Sequence, residues 1–113
     1  PEACETGVGI DDDGIIRWGT TNVRYVYILR LGSKMPGVPP NFDEPDGTLW
    51  LLDVTHKQAA FGQGFAYGEV PANVNQRLPE SGAPDGLESG ESYVLVALAD
   101  IIIPAVRCVF TVP

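Results

Sequence analysis

The stretch Ser92-Tyr-Val-Leu-Val-Ala-Leu-Ala99 constrains the fold of this chain most strongly, because seven of its eight residues are apolar or aromatic. Successive side chains of a β-strand point to opposite faces, and here both faces are apolar. One face carries Tyr93, Leu95 and Ala97, and the other carries Val94, Val96 and Leu98. Strands of this kind are typical of the centre of a sheet that is covered on both sides. We therefore predict a central strand here.

Three further segments with period-two alternation, 22–31, 48–54 and 105–112, are the expected companions of this strand. In the first segment Arg24 and Arg30 share one face, so the arginine-free face is expected to point to the core. That face carries Val23, Tyr25, Tyr27, Leu29 and Leu31. In the second segment the large Trp50 side chain is the expected anchor of the core.

The last segment, 105–112, alternates most regularly and carries one of the two cysteines of the chain. Its inward side chains are expected to be Val106, Cys108, Phe110 and Val112. The other cysteine is Cys4, so no CxxC spacing for metal or redox chemistry exists, and the pair forms either a bridge or two free thiols. Because Cys108 has an inward register, we predict a Cys4–Cys108 disulfide. An extracytoplasmic location (secreted, periplasmic or cell surface) follows from it.

The rest of the chain consists of short extended segments and turns. Weaker strands are predicted at 14–18, 59–61, 65–70 and 74–78, and two proline-containing loops at 32–46 and 70–90. No window of a dozen residues has the periodicity of an amphipathic helix. With 13 Gly and 10 Pro as turn residues, the sequence predicts an all-β fold. We expect one domain, 1–113, built as a two-sheet antiparallel sandwich of about seven strands.

The charge of the chain excludes two classes of partner. Seven Lys and Arg stand against 15 Asp and Glu, which gives a formal net charge of -8. Such a chain repels phosphate backbones and anionic lipid head groups, so neither nucleic acid nor a membrane surface is an expected partner. No apolar run approaches the roughly 18 residues that a membrane helix needs, so the chain is not expected to span a membrane.

The chain begins Pro-Glu-Ala-Cys, with no apolar leader. We therefore expect it to be a mature or trimmed product. A lipidated cysteine is the first residue of a mature lipoprotein, so Cys4 is not expected to carry a lipid. A lipoprotein-like arrangement with an anchor upstream of Pro1 stays open.

One short pattern points to a known type of fold. Leu87, Gly90 and Tyr93 form L-x-x-G-x-x-Y directly before the apolar strand. This pattern resembles the tyrosine corner of fibronectin type III and related immunoglobulin-like sandwiches, and accessory domains of secreted or cell-envelope bacterial proteins are similar. The resemblance implies an immunoglobulin-like fold in which Gly90 permits the turn, Leu87 plugs the end of the core, and the Tyr93 hydroxyl bonds a backbone carbonyl. A bridge between the first and last strands departs from that family.

The acidic turns suggest a calcium site as one interpretation. Asp11 and Asp13 could supply hard oxygen ligands, and Asp43 and Asp46 could complete the set if the two loops converge. The helix-loop-helix calcium signature is absent. A solvated turn before a strand is the alternative, so no cofactor other than calcium is considered.

The aromatic residues allow a second binding interpretation. Trp18 and Tyr67 belong to a set that could form a platform for sugar rings, and Trp18, beside Gly19, is the residue of this set most expected to be exposed. The alternative is that these aromatics fill the core. His56 is the only histidine, which excludes a multi-histidine zinc or copper centre, and no nucleophile elbow surrounds any serine. No catalytic residues are therefore assigned.

These observations favour a non-catalytic extracytoplasmic module for protein interaction, adhesion or domain spacing. The loops 32–47 and 71–90 are its expected contact surface, since loops carry most binding residues. A carbohydrate-binding module and a calcium-stabilised interaction domain are the two alternatives.

Overall fold

The computed structural model describes residues 1–37, 44–100 and 103–113, which form eight β-strands. The strands are β1 (Gly9–Ile10), β2 (Ile15–Arg17), β3 (Tyr25–Arg30), β4 (Thr48–Asp53), β5 (Phe65–Ala66), β6 (Asn75–Leu78), β7 (Ser92–Asp100) and β8 (Ile103–Thr111). They pair antiparallel in a five-stranded sheet of order β6-β4-β3-β7-β8 and a three-stranded sheet of order β1-β2-β5. The predicted all-β two-sheet architecture is confirmed. Among the described residues, no helix has the length and apolar character needed to cross a membrane.

The main core lies between the two sheets. Ile16 and Phe65 from the three-stranded sheet pack with Val26 and Ile28 of β3 and with Trp50 of β4. Trp50 is completely buried, and its ring lies 6.1 Å from the Phe65 ring in an edge-on arrangement. The prediction of Trp50 as the core anchor is therefore confirmed.

The outer face of the five-stranded sheet carries a second apolar cluster. Its buried members are Tyr25, Tyr27, Leu29, Leu51, Val94, Val96 and Leu98. Partly buried Met35, Leu78 and Val109 pack against this cluster. Both faces of the central strands are thus buried, as the sequence of β7 predicts, and β7 indeed lies between β3 and β8.

The predicted core face of β3 is buried at Tyr25, Tyr27 and Leu29, but it is not the face that meets the second sheet. Tyr25, Tyr27 and Leu29 lie on the outer cluster, while Val26 and Ile28 face the other sheet. The two arginines do not indicate which face of β3 is solvent-exposed, because Arg24 lies before the strand and Arg30 is its last residue. Arg24 precedes β3 and donates hydrogen bonds of 3.1 Å to the carbonyls of Thr55 and Gln58, and Arg30 is the exposed last residue.

Two other members of that predicted face differ from each other. Val23 is buried in the core between the sheets, as expected, whereas Leu31 is 59% exposed. Leu31 follows the last residue of β3, where the alternation of the strand no longer decides which way a side chain points.

The short strands differ from their predicted bounds. The 59–61 segment makes only one bridge, between Val23 and Phe61, and the 65–70 segment is a strand only at β5. The short strand predicted at 74–78 is present as β6, and β1 is an additional strand that its two residues did not reveal. After β5 the Glu69 carboxylate accepts the Ala66 N–H at 3.2 Å, a local turn contact that alternation alone does not predict.

The predicted disulfide is present and closes the fold. Cys4 and Cys108 are joined with a sequence separation of 104 residues. Ala3 lies in parallel register beside Val109, whose N–H donates to the Glu2 carbonyl and whose carbonyl accepts from the Cys4 N–H, both at 2.8 Å. The N-terminal segment therefore runs alongside β8, held by backbone hydrogen bonds and by one covalent bond.

Gly9 in β1 allows the two sheets to approach where β1 meets β8. Its φ is +111°, and a Cβ there would lie 2.8 Å from Phe110 Cβ. We expect Gly9→Ala to lower the free energy of unfolding by about 2 to 4 kcal/mol, from left-handed backbone strain and overpacking together. Gly90→Ala is the matched control, because Gly90 has φ +84° but open space at its Cβ, and should cost only about 1 to 2 kcal/mol. Urea denaturation measures both, and equal losses would exclude the contact with Phe110 as a cause.

Candidate functional site

The loop of residues 79–91, called here the 79–91 loop, joins β6 to β7 at one end of the five-stranded sheet. Arg30 at the end of β3 pairs with Tyr93 near the start of β7, and Ser92 pairs with Thr111 at the end of β8. His56 lies at the opposite end, because it follows β4, whose last residue Asp53 pairs with the first residue of β3. The loop contains no strand, yet its backbone is fixed by several side chains from the body of the sandwich.

The first fixed point is the amide of Gln76 in β6. Its Oε1 accepts the indole N–H of the buried Trp50 at 2.7 Å. Its Nε2 donates to the carbonyls of Pro79 at 2.9 Å and Gly82 at 2.8 Å. One side chain therefore connects the core anchor to the beginning of the 79–91 loop. No periodicity or motif marks Gln76, so its role could not be predicted from the sequence.

The second fixed point is Tyr67. Its ring packs edge-on against Trp50 at 5.2 Å, and its hydroxyl donates to the Asp85 carbonyl at 2.7 Å. Burial raises the pKa of the Tyr67 phenol, and the neighbouring Asp85 charge raises it further, so the hydroxyl stays a donor at neutral pH. The structure thus places Tyr67 as a half-buried support of the loop, rather than as an open aromatic platform.

The third fixed point is the corner predicted from Leu87, Gly90 and Tyr93. Leu87 packs against the main core, Gly90 has φ +84°, and the Tyr93 hydroxyl accepts the Glu88 N–H at 3.0 Å. The expected partner was a carbonyl; the partner that the structure gives is the Glu88 N–H, for which the hydroxyl is the acceptor. The bond thus links the tyrosine to backbone just upstream, as the resemblance implies.

We expect Tyr93→Phe to lower the free energy of unfolding by about 1 kcal/mol, because the Glu88 N–H loses its partner. Tyr25→Phe is the matched control. It removes a hydroxyl of another buried tyrosine, one that makes no hydrogen bond within the described part of the chain. Thermal and urea unfolding of the two variants measures the difference. A loss no larger than that of Tyr25→Phe would contradict the assigned hydrogen bond.

A cleft of about 440 Å³ separates the 79–91 loop from the end of β3. Arg30 and Leu31 line one side, and Asp85, Glu88 and Glu91 line the other. Arg30 Nη2 and Asp85 Oδ2 are 3.8 Å apart, a loose and exposed ion pair. The cleft is open and mainly polar, with an exposed leucine at its rim. Such a surface suits a protruding side chain of a protein better than a small molecule that must be enclosed.

Trp18 is not the exposed ring that the sequence suggested. It is 3% exposed, packs edge-on against Phe61 and Phe65, and donates its indole N–H to the Thr21 carbonyl at 2.8 Å. The expectation of an exposed Trp18 is wrong, because the chain after β2 folds back over its ring. Trp18 and Tyr67, the two aromatics considered for sugar binding, both pack in the main core between the sheets.

Among the described residues, the aspartates considered for calcium do not form a cluster. The Asp11 carboxylate accepts the N–H groups of Asp13 and Ile15 at 3.0 Å and the Arg17 Nε–H at 3.2 Å. Asp46 is exposed in the turn before β4, and Asp43 lies outside the described residues. Within the described ranges, no group of three His, Cys, Asp or Glu is placed to hold a metal. Asp11 is placed to order its own turn.

The Ile15 N–H lowers the pKa of the Asp11 carboxyl below 3.8; burial opposes this change, and the bonds from Arg17 and Asp13 reinforce it. Because the pKa of this carboxyl is lower in the folded state, the carboxylate stabilises the fold at pH values above its unfolded-state pKa. That stabilisation is lost as the pH falls through the folded-state pKa. We expect Asp11→Asn to melt at a lower temperature than the parent chain at pH 7, with the difference shrinking below pH 3.8. Asp12→Asn, an exposed neighbour, should melt with the parent chain at pH 7. A pH-independent difference for Asp11→Asn would contradict the charge-based explanation.

No family model, curated protein or solved structure matches the chain. The architecture, a two-sheet antiparallel sandwich with β7 as an interior strand of the larger sheet, is compatible with an immunoglobulin-like fold.

Proposed function

We propose that this chain is a non-catalytic module of an extracytoplasmic protein, serving adhesion, assembly or domain spacing, and that it binds a protein partner through the 79–91 loop. The observation that carries the proposal is the loop's combination of exposure and fixed shape. Three side chains tied to the core (Gln76, Tyr67 and Tyr93) hold its backbone, while most of its own side chains are exposed. A surface ordered before binding loses little conformational entropy when a partner docks.

The charge of the loop indicates the chemistry of that partner. Glu80, Asp85, Glu88 and Glu91 lie within it, and the loop has no Lys or Arg. Exposed Leu31 adds an apolar contact at the rim of the cleft. A protein surface with Lys or Arg around an apolar residue is complementary to this arrangement, and charge complementarity speeds association and selects the partner.

The compartment is supported by the covalent bond. A structural disulfide persists where the environment is oxidising, as outside the cytoplasm. The proposal of an extracytoplasmic location thus rests on Cys4 and Cys108.

A photo-crosslinking amino acid at Glu88 tests the binding surface, with the same group at exposed His56 as the matched control at the other end of the sheet. We expect a discrete protein adduct from Glu88 on the cells that produce the chain, and none from His56. The adduct should fall several-fold when Asp85→Asn and Glu91→Gln are added, because the acidic surface loses charge. Equal labelling from both positions, or labelling that ignores these two substitutions, would exclude the 79–91 loop as the binding surface.

A further inference from the structure

The disulfide joins the two ends of the described chain in a way that affects how it transmits force. Cys4 and Cys108 are 104 residues apart in sequence, but their Cα atoms are only 4.8 Å apart. Every strand from β1 to β7 and the 79–91 loop lie between the two cysteines along the chain. A continuous covalent path therefore runs from residue 4 to residue 108 without passing through any of them.

The hydrogen bonds next to the bridge also resist tension between the two ends of the domain. The segment Glu2–Cys4 is parallel to β8, with Ala3 opposite Val109 and hydrogen bonds of 2.8 Å on both sides of Val109. In a parallel pair, pulling the N-terminal segment backwards and the C-terminal strand forwards slides one strand along the other. These bonds are thus loaded together in shear and are not opened one after another.

We propose that the Cys4–Cys108 bond is a load-bearing tie that makes the sandwich inextensible under tension between its ends. The force passes from residue 4 through the two sulfurs to residue 108, so the chain between the two cysteines, which includes β1 to β7 and the 79–91 loop, is not stretched. The loop therefore keeps its shape under load. This inference does not depend on the proposed partner binding, because it follows from connectivity alone.

The expected difference in length is large. Without the bond, unfolding frees 104 residues, which extend to about 350 Å at roughly 3.4 Å per residue. With the bond intact, only the few residues outside the cysteines lengthen. The folded separation of 4.8 Å subtracts little from this increment.

Single-molecule force spectroscopy of the whole chain, held between handle domains of known unfolding length, tests the tie. We expect no step of about 350 Å from the oxidised protein at forces that unfold the handles. The variant with both Cys4→Ala and Cys108→Ala should show that step in each folded molecule. A step of the same length from the oxidised parent chain would overturn the proposal.

A second measurement does not require the variant to fold. The oxidised chain is held at constant force and dithiothreitol is added. One dithiothreitol thiolate attacks a bridge sulfur, and its second thiol then closes the ring. The reagent is oxidised to the cyclic disulfide as the two cysteines take up two electrons and two protons. We expect the full step only after this reduction. Thiol labelling reports whether the bridge is fully reduced. If fully reduced molecules do not lengthen, the proposal is overturned.

Discussion

Replacement of both Cys4 and Cys108 by alanine is expected to lower the free energy of unfolding by about 4 to 5 kcal/mol. The bridge closes a loop of 104 residues, and in the chain-entropy model a loop of about 100 residues restricts the unfolded ensemble by about 4.7 kcal/mol. Alanine is preferred to serine because Cys108 is buried and a hydroxyl there would add a separate cost. Urea denaturation of the oxidised parent chain and of the double variant measures the difference.

The reductant provides the control for this prediction. Dithiothreitol should lower the stability of the parent chain towards that of the double variant, and should leave the variant unchanged. A double variant within about 1 kcal/mol of the oxidised parent would contradict the entropic account. It would show that the unfolded chain is already compact enough for the bridge to restrict it little.

Trp50→Ala is expected to cost about 3 to 5 kcal/mol, because it removes a fully buried side chain and leaves a cavity between the two sheets. The loss includes the ring contacts with Phe65 and Tyr67 and the indole hydrogen bond to Gln76. Gln76 also holds the 79–91 loop. In Trp50→Ala, the amide NMR signals of Gln76 and of the loop should therefore broaden together.

Leu31→Ala is the matched control for the tryptophan. It also truncates a large apolar side chain, but one that is 59% exposed, so its effect should stay within about 0.5 kcal/mol. Urea unfolding measures both variants. If Trp50→Ala costs no more than Leu31→Ala, the core between the sheets does not depend on this ring.

The strongest elements of the fold could be predicted because their local pattern agrees with their surroundings. β7 is apolar on both faces and lies inside its sheet, between β3 and β8, and β8 alternates and buries Cys108 and Phe110. The two-residue strands β1 and β5 could not be bounded, since so few residues contain no periodicity. Pairing with β2 places them in the three-stranded sheet.

The candidate site was only partly predictable. The spacing of Leu87, Gly90 and Tyr93 indicated a corner, but whether the Tyr93 hydroxyl meets a carbonyl or an N–H depends on how the turn is oriented. Gln76 carries no local signal at all. Its role arises because β6 pairs with β4 and so brings its amide beside the indole of Trp50.

The alternation of apolar side chains was enough to predict an all-β sandwich with Trp50 in its core, and the inward register of Cys108 was enough to predict the bridge to Cys4. Which of the two apolar faces of β3 meets the second sheet was decided only by the tertiary structure. Val26 and Ile28 face the three-stranded sheet, while Tyr25, Tyr27 and Leu29 lie in the outer cluster against Met35 and Leu78. Hydrophobic burial has no direction, so two apolar faces are equivalent until the rest of the chain covers each of them.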